Sequence, residues 1–441
     1  MCTISLRSAQ AFHPRNSKGE NFADETMLGL FAQYSKKDSF SKKKGADHDG
    51  QSNKLSRSQT SPLPPSSSSA SLNLANKMGD SINDSNSNSN DNSNNNSSPP
   101  NHLTNPQFSP PNQSRVLGLT APERKLSEIG IENLKHFVPD QVEELKSGMR
   151  RWYFDVLKYD TPSLILVAKE ALHHYALDSI FEIEETTLVK FLFAVSNKYR
   201  DNAFHNFFHA SAVLHITFMM LQEVGTDELL TDRDLMCCLV GALVHDVDHT
   251  GFNNDFERNS SSELAVTYND KSILENHHAA TTFRLLQNES VNIFKTLNEE
   301  DFRYVRKNII AIILKTDMVN HFDMVKQMQI LSEKNLETQG YEWDIQNDED
   351  RLELSTMVVH AADLSNPTYP KFEMTKQWCF RVCQEFSHQA YTEKELGLEV
   401  KPYMVGLTEE AGIAKLQIGF VNYVILPLWK VMGQLFPKVS E

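Results

Sequence analysis

The run Leu239-Val240-Gly241-Ala242-Leu243-Val244-His245-Asp246-Val247-Asp248-His249 decides how this chain folds. Its apolar part has the character of a buried helix, and that part leads directly into His245 and Asp246. These two residues offer a nitrogen and an oxygen ligand side by side, so two further His or Asp side chains would complete a metal site. The carboxylate of Asp246 has two oxygens and can therefore bridge two ions.

The chain supplies the missing ligands on both sides of this run. His205 and His209 lie upstream, and Asp363 ends a second apolar run downstream. Because His205 and His209 are four residues apart, we predict that they share one helix face, and we predict the same for His245 and His249. A complete ligand set can be found without His205, which leaves that histidine free to donate a proton to a leaving alkoxide.

This mixed ligand set predicts a centre with two different ions. Two His and two Asp suit zinc or a similar transition ion. A second ion that shares only Asp246 and keeps several waters suits magnesium. Two such ions, about 3.5–4 Å apart, polarise a phosphoryl group for in-line displacement. The alternative is a merely structural polar core, but the clustering of histidines between residues 205 and 360 favours a metal-dependent hydrolase.

Composition narrows the class of protein further. The net charge of -15 argues against a nucleic-acid partner, whereas bound metal ions can still attract a small anionic substrate. The cysteines lack the spacing of a disulfide framework, which indicates a reducing compartment. Cys379 and Cys383, four residues apart, are interpreted as small buried hydrophobes rather than metal ligands. We find no signal peptide and no run of roughly 18 apolar residues, so we expect a cytosolic protein without a membrane span.

The composition changes near residue 120. Residues 47–114 are dominated by Ser, Asn, Pro and Asp and cannot bury enough apolar surface to offset the entropy of ordering, so we predict that residues 1–120 form a disordered N-terminal region. Apolar residues then recur at helical spacing without a convincing strand pattern, which predicts one all-α, multi-helix catalytic domain over residues 121–441. The clearest predicted helices are 164–175, 187–195, 210–221, 235–244 and 302–314, together with a last helix that runs to Pro427.

Taken in order, the motifs resemble those of class I 3′,5′-cyclic nucleotide phosphodiesterases, whose catalytic domain is of the HD type. The resemblance covers about residues 130–437. It rests on Phe204-His205-Asn206-x-x-His209, His245-Asp246-Val247-Asp248-His249-x-Gly251-x-x-Asn254, Tyr268-Asn269-Asp270, Leu274-Glu275-Asn276-His277-His278, Thr316-Asp317-Met318, Ala362-Asp363-Leu364-Ser365-Asn366-Pro367 and Gln417-Ile418-Gly419-Phe420.

The resemblance implies an all-helical domain with a two-metal centre at the floor of a pocket. By motif position, His209, His245, Asp246 and Asp363 match the ligands of the first metal, and Asp246 matches the bridge to a second ion, normally magnesium or manganese. His205 matches the proton donor to the O3′ leaving group. A bridging hydroxide would attack the cyclic phosphate and yield a 5′-monophosphate. The residues expected to orient ligands and metal-bound waters are His249, Glu275, His278, Thr316 and Asp317.

Base recognition in this family uses a glutamine amide and an aromatic clamp, which Gln417 and Phe420 match. Val382 matches the opposite side of the clamp, and Asn366 matches a polar pocket residue. Thr375 falls where some cAMP-selective members carry a tyrosine that restrains the glutamine. Because an amide can present either its donor or its acceptor to the base, we predict that cGMP is favoured, with cAMP-specific or dual-specificity hydrolysis as the alternative.

Two other classes of function are weighed against this prediction. A hydrolase of the wider His-Asp superfamily that acts on nucleoside triphosphates or alarmones would need a basic pocket, and the apolar face around Gln417 and Phe420 argues against one. A catalytically inactive nucleotide-binding protein would be favoured by loss of a metal ligand or of His205, and none is lost. The oligomeric state has no signature in the sequence.

Overall fold

The computed structural model describes residues 137–338 and 346–440. Every regular element in these two ranges is helical, so the all-α prediction is confirmed for the described part of the chain. The predicted disordered region, residues 1–120, lies outside the described residues, as does the predicted domain boundary at residue 121.

The described ranges contain fifteen α-helices, and each of the five clearest predicted helices is confirmed. The α-helices are α1 Pro139–Met149, α2 Thr161–His174, α3 Leu177–Ile180, α4 Glu185–Ser196, α5 Phe207–Gln222, α6 Asp232–Val244, α7 Asn254–Asn259, α8 Glu263–Tyr268, α9 Ile273–Leu285, α10 Glu299–Lys315, α11 His321–Thr338, α12 Asp348–Asp363, α13 Phe372–Glu395, α14 Glu410–Phe420 and α15 Leu426–Leu435. Short 3₁₀ turns lie at Val156–Lys158, Thr226–Leu229, Met318–Asn320, Asn366–Thr368, Pro402–Met404 and Pro437–Ser440.

Helix α5 lies at the centre of the fold and packs against α2, α6 and α12. Its residues from 209 to 221 are all buried, as expected for a helix surrounded by other helices. Helix α6 packs closely on α10 at Gly241, where an added Cβ would lie only 3.0 Å from Ile312 Cγ2. The apolar run 239–244 therefore forms part of the core and fixes the position of the residues that follow it.

Helix α5 begins later than the spacing of its histidines predicts. The Asn206 side chain accepts hydrogen bonds from the backbone N–H groups of Phe208 and His209, at 2.9 and 3.3 Å, and so caps the helix. His205 precedes this cap and does not belong to the helix. The prediction that His205 and His209 share one helix face is therefore wrong, because Asn206 satisfies the first turn and lets the chain enter at a different angle.

Helix α6 ends one residue before His245, so the prediction that His245 and His249 share a helix is also wrong. The chain turns through Asp248, whose φ of 62° lies in the left-handed region that a continuing helix does not allow. The Asp248 carboxylate accepts a hydrogen bond from Arg200 and contacts His277, each at 2.7 Å. These two contacts hold the strained turn in place.

The last helical segment runs past Pro427, where the sequence predicts its end. Proline lacks an N–H group and normally interrupts a helix. Here a π-helical turn, Val421–Ile425, connects α14 to α15, and Pro427 falls in the first turn of α15.

This combined segment, Glu410–Leu435, is long and apolar enough to cross a membrane by length and composition alone, the one such helix among the described residues. Leu428 and Met432 of this segment are fully buried in the hydrophobic core, whereas only 28% of its most apolar window is buried. A single helix of this kind is weak evidence for a span.

Candidate metal centre and nucleotide pocket

Four side chains from three parts of the chain converge on one point. His209 lies in the first turn of α5, His245 and Asp246 follow the end of α6, and Asp363 is the last residue of α12. The Nε2 atoms of the two histidines are 3.3 Å apart. Asp363 Oδ1 lies 3.0 Å from His209 Nε2 and 3.4 Å from His245 Nε2, while Asp246 Oδ2 lies 3.4 and 3.1 Å from the same two atoms.

These distances fit a metal site better than a set of hydrogen bonds. Ligand atoms about 2.1 Å from a tetrahedral ion are about 3.4 Å from one another, and the observed separations are 3.0–3.4 Å. The Nδ1–H of His245 donates to the Ala242 carbonyl at 2.8 Å, which leaves Nε2 free as a ligand. His209 and His245 are fully buried. The four predicted ligands therefore form a candidate metal-binding group.

The second oxygen of Asp246 faces a different set of side chains. Its Oδ1 lies 3.7 Å from His278 Nε2, and the Nδ1 of His278 is fixed by the Val247 carbonyl at 2.8 Å. Burial lowers the pKa of His278 to about 4, so this imidazole is neutral at pH 7. One carboxylate thus serves two neighbouring sites, as a bridging ligand requires.

Glu275 and Asp317 face the same cavity as this second site. The Asn254 amide donates to both oxygens of Glu275, at 3.2 and 3.0 Å, and Ser272 Oγ donates to Asp317 at 2.8 Å. Burial, with a further contribution from the charge of Asp317, raises the pKa of Glu275 to about 8. Thr316 also lines the cavity, and its hydroxyl donates a hydrogen bond to the Ile313 carbonyl in the last turn of α10. The hydroxyl oxygen is therefore able to accept a hydrogen bond from a ligand or water.

His205 is held by a carboxylate that the sequence argument missed. Oε2 of Glu385 accepts the backbone N–H groups of Phe204 and His205, at 2.9 and 3.1 Å, and Oε1 contacts the Nδ1 atom of His205. Burial lowers the pKa of His205, but the charge and hydrogen bond of Glu385 outweigh it and raise that pKa to about 9. Burial would raise the pKa of Glu385, yet the facing His205 brings it down to about 2.

A neutral histidine and a glycine turn complete the support for His205. The ring of His249 stacks on His205, with the ring centroids 4.0 Å apart. Burial and the positive charge of His205 hold the pKa of His249 well below its usual value. Nδ2 of Asn202 donates to the carbonyls of both histidines, at 2.9 and 2.8 Å. Gly251 has a φ of +83° and passes so close that an added Cβ would meet Asn202 at 2.9 Å.

One cavity of about 660 Å³ joins these groups to the predicted base-binding residues. That volume lies in the range of pockets that bury a drug-sized or nucleotide-sized ligand. Gln417 and Phe420 from α14 and Val382 from α13 line it, together with Asn366. The Asn366 amide also lies 3.4 Å from His209 Nδ1. Every predicted site residue therefore lies in this cavity or, for His209 and His245, in the metal group that it reaches.

The Gln417 amide has no hydrogen-bond partner among the side chains and backbone groups of the described residues. Thr375 also lines the cavity, but its hydroxyl donates to the Tyr369 carbonyl at 3.4 Å rather than to the glutamine. The amide of Gln417 is therefore free to turn about its terminal bond.

Sequence reasoning missed Glu385 because its contact with His205 joins residues 180 apart in sequence. A weak signal was present: Glu385 follows Val382 by three residues on α13, so both lie on the face of that helix that lines the pocket.

Comparison with known proteins agrees with this geometry. The sequence model of the 3′5′-cyclic nucleotide phosphodiesterase family matches residues 204–441. The probable 3′,5′-cyclic-AMP phosphodiesterase pde-4 of Caenorhabditis elegans is 33% identical over 354 residues, which cover 76% of this chain and 52% of that protein. The 3′,5′-cyclic-AMP phosphodiesterase 4C of Rattus norvegicus is 34% identical over 311 residues, covering 68% of this chain and 58% of that protein. The high affinity cGMP-specific 3′,5′-cyclic phosphodiesterase 9A of Mus musculus is 33% identical over 303 residues, covering 69% and 54%.

A solved structure shows the same fold. The phosphodiesterase domain of the RhoPDE fusion protein from the choanoflagellate Salpingoeca rosetta matches with a TM-score of 0.63 and 36% identity, covering 67% of this chain and 92% of that chain. The chain spans little more than half the length of the curated relatives it matches, 52% to 58%. The family model covers more than half of this chain, and the matched region contains all four candidate metal ligands. The chain belongs to the 3′5′-cyclic nucleotide phosphodiesterase family.

Proposed function

We propose that this protein hydrolyses a 3′,5′-cyclic nucleotide to the 5′-monophosphate. The observation that carries the proposal is one cavity that reaches the candidate metal group and is lined by His205 and by the Gln417–Phe420 face. The metal group is needed for a reaction at phosphorus, and His205 is needed for departure of an alkoxide. The Gln417–Phe420 face is needed for recognition of a base.

The ligand sets support two different ions. His209, His245, Asp246 and Asp363 offer two nitrogens and two carboxylate oxygens, which suits zinc. The second site, reached by the other oxygen of Asp246, is otherwise lined by Glu275, His278, Thr316 and Asp317, whose polar atoms are able to hydrogen-bond to the waters that magnesium or manganese keeps. When bound, these ions supply an activated water and neutralise charge on the phosphate.

His205 supplies the proton for the leaving group in this proposal. The O3′ alkoxide must take up a proton as its bond to phosphorus breaks. Because Glu385 raises the pKa of His205 to about 9, the imidazolium form predominates at pH 7. Its Nδ1 atom is engaged by Glu385, which leaves Nε2 to donate. The stacked His249 is neutral and therefore adds no second positive charge that would oppose protonation of His205.

We favour cGMP as the preferred substrate. Guanine presents an acceptor and a donor where adenine presents a donor and an acceptor, so a glutamine must turn its amide to serve one or the other. The Gln417 amide has no partner among the described residues that fixes it in the orientation adenine needs. Identity to relatives does not decide the base, since cAMP and cGMP enzymes match at 33% to 34%.

The direct test is the initial rate of hydrolysis of cGMP and of cAMP by the full chain with zinc and magnesium, each at low substrate concentration. Faster cleavage of cGMP supports the proposal. Much faster cleavage of cAMP would show that another residue fixes Gln417. Absence of hydrolysis with either nucleotide, together with tight binding, would instead favour the inactive binding protein.

A matched pair of variants tests the role of the unrestrained glutamine. In Thr375→Tyr the new hydroxyl can hold Gln417, whereas Thr375→Phe adds the same ring without a hydrogen-bonding group. We expect the ratio of cAMP to cGMP hydrolysis to rise in the tyrosine variant relative to the phenylalanine variant. Equal ratios in the two variants would mean that the orientation of Gln417 does not set the preference.

A further inference from the structure

Three buried polar side chains follow one another along one face of α13. Glu385, Gln389 and Glu393 are spaced four residues apart and are only 5%, 2% and 2% exposed. Side chains of these types are rarely buried unless they are hydrogen-bonded. The contacts with His205 explain the burial of Glu385. Neither Gln389 nor Glu393 has a part in the proposed mechanism, although Gln389 lines the cavity.

The Gln389 amide holds Asn253 at two points. Its Oε1 accepts the backbone N–H of Asn253 at 2.9 Å, and its Nε2 donates to Asn253 Oδ1, also at 2.9 Å. The same nitrogen donates to Glu393 Oε1 at 2.8 Å. Gln389 and Asn253 are 136 residues apart in sequence, so these bonds fix the loop before α7 against α13.

The direction of these bonds follows from groups that can only donate. The backbone N–H of Asn253 must face an oxygen, which identifies Oε1 of Gln389. The backbone N–H of Phe256 must likewise face Oδ1 of Asn253, at 2.9 Å. The nitrogen of the Gln389 amide is then directed at two oxygens, one of Asn253 and one of Glu393. The carboxyl group of Glu393 therefore favours the orientation in which Gln389 can hold Asn253.

Glu393 is kept in this place at a cost in stability. Its Oε2 is buried and has no hydrogen-bond partner among the described residues. A partly satisfied buried carboxyl group is unfavourable, and such groups are expected where function requires them. The bond from Gln389 to Oε1 is what this carboxyl group provides.

The residue after Asn253 reaches the second site. The Asn254 amide donates to both oxygens of Glu275, and its Oδ1 accepts the backbone N–H of Leu274 at 2.9 Å. Asn253 caps helix α7, which begins at Asn254, so a displacement of one asparagine moves the other. Gln389 is thus connected to Glu275 through two consecutive residues.

We propose that Gln389 is a positioning residue for the second metal site. It holds Asn253 against α13 and thereby sets the place of Asn254. Asn254 in turn sets the direction in which Glu275 presents its oxygens to the waters of the ion. This inference rests on the proposed function for the presence of a second ion. Loss of a group that orients the surroundings of a metal typically costs about 10–100-fold in affinity.

Manganese binding tests the proposal without reference to hydrolysis. In the zinc-loaded full chain, added Mn²⁺ is expected to enter the second site, and electron paramagnetic resonance distinguishes free from bound Mn²⁺. Gln389→Met nearly keeps the length of the side chain but loses both bonds to Asn253. We expect its Kd for Mn²⁺ to rise about 10-fold or more. Zinc content is expected to stay unchanged, because none of the four candidate ligands is altered.

The matched control is Gln384→Met on the same helix. Gln384 is exposed, so the same chemical change is made outside the pocket, and the Kd for Mn²⁺ should equal that of the unmodified chain. An unchanged Kd for Mn²⁺ in Gln389→Met would overturn the proposal. A zinc-loaded unmodified chain that binds no Mn²⁺ would overturn it as well.

A double variant separates positioning from stability. Gln389→Met leaves the carboxyl group of Glu393 buried without its donor, which is expected to lower the free energy of unfolding in urea. Gln389→Met combined with Glu393→Leu removes both partners, so the stability is expected to recover. The Kd for Mn²⁺ is expected to stay about 10-fold or more above that of the unmodified chain, since Asn253 is still released. Recovery of Mn²⁺ affinity together with stability would show that the role of Gln389 is only structural.

Hydrolysis is measured on the same preparations. At low magnesium, Gln389→Met is expected to hydrolyse cyclic nucleotide about 10-fold more slowly or less, and saturating magnesium is expected to restore the rate. A rate that saturating magnesium does not raise would contradict the proposal. An unmodified chain that binds Mn²⁺ beside zinc, with weaker binding in Gln389→Met but no hydrolysis of cAMP or cGMP, would contradict the proposed function and leave the positioning role standing.

Discussion

Within the pocket, the candidate ligands of an ion and the candidate proton donor are different residues. His205 and His209 belong to one short motif, yet only His209 lies within the group of four candidate ligand atoms. His205 is instead engaged by Glu385. The Asn206 cap separates the two histidines, because it starts the helix between them and gives their side chains different directions.

This division predicts the behaviour of His205→Ala. Turnover is expected to fall by about 10²–10⁴-fold, the usual contribution of a positioned general acid. Zinc content is expected to stay near that of the unmodified protein, since all four candidate ligands remain. Both are measured on the same preparation, kcat by initial rates and zinc by elemental analysis. Asp363→Asn is the control and should lose metal and activity together; equal loss of zinc in His205→Ala would identify His205 as a ligand.

Glu385 is expected to act through His205 rather than on the substrate. Glu385→Gln keeps the size of the side chain but removes the charge that raises the pKa of His205. The acid is active when protonated, so a lower pKa moves the alkaline fall of kcat to lower pH. We also expect kcat at neutral pH to drop by about 10–100-fold, as for other groups that orient a reacting side chain, with KM little changed. The pH profile of kcat decides this, since a purely structural defect would lower kcat without moving the alkaline limb.

The candidate ligands could be picked out from the sequence because each follows an apolar run or lies in a short motif. His245 and Asp246 follow the apolar end of α6, and Asp363 ends α12 in the same way. Glu385 has no such motif, and its role depends on a contact between α13 and the loop before α5. Local spacing carries no information about a pairing of that kind, which only packing of the helices creates.

At the scale of helices, a buried ion pair joins the N-terminal turns of α6 and α12, at the opposite ends of these helices from the metal group. Asp234 is fully buried, and its Oδ2 accepts from Nε of Arg351 at 2.8 Å. The Tyr304 hydroxyl from α10 donates to the other oxygen at 2.5 Å. The pair therefore ties together the two helices whose C-terminal ends lead to His245 and Asp363.

Loss of one partner of this pair is expected to destabilise the fold. Arg351→Met leaves a buried carboxylate without its counter-charge, which typically costs about 3–5 kcal/mol. The matched control is Arg303→Met on α10, whose partner Glu299 is at 2.7 Å but where both side chains are largely exposed, 70% and 83%. Its unfolding midpoint should hardly change. Urea unfolding of both variants measures the difference, and equal stability would mean that Asp234 is satisfied without Arg351.

At the end of α6, residue spacing predicts the wrong backbone conformation. Spacing of four residues predicts a common helix for His245 and His249, but the chain leaves the helix after Val244 and passes through the left-handed Asp248. Contacts from Arg200 and His277, distant in sequence, compensate for that strain. The four-residue spacing places His245 and His249 on one face only if the helix continues past Val244. The spacing contains no information about the contacts of Arg200 and His277 with Asp248, which stabilise the turn instead.

For the molecule as a whole, the metal group joins parts of the chain that lie far apart. His209 and Asp363 are 154 residues apart, and their helices α5 and α12 pack side by side. An ion held by both, and by the residues that follow α6, would cross-link the three helices at one end. The all-helical fold was predictable from periodicity, whereas the meeting of these three ends depends on how the helices pack.

Removal of metal is therefore expected to lower the stability of the whole domain. An ion that binds only the folded state stabilises it by about 4 kcal/mol when its free concentration is 1,000 times its Kd, so chelation should lower the Tm by several degrees and added zinc should restore it. Asp363→Asn is the control, because a weakened site leaves little stabilisation for a chelator to remove. The measurement is Tm by calorimetry alongside zinc content. A chelated protein that has lost its zinc but melts at the same temperature would show that α5, α6 and α12 hold together without the ion, and that the centre serves chemistry alone.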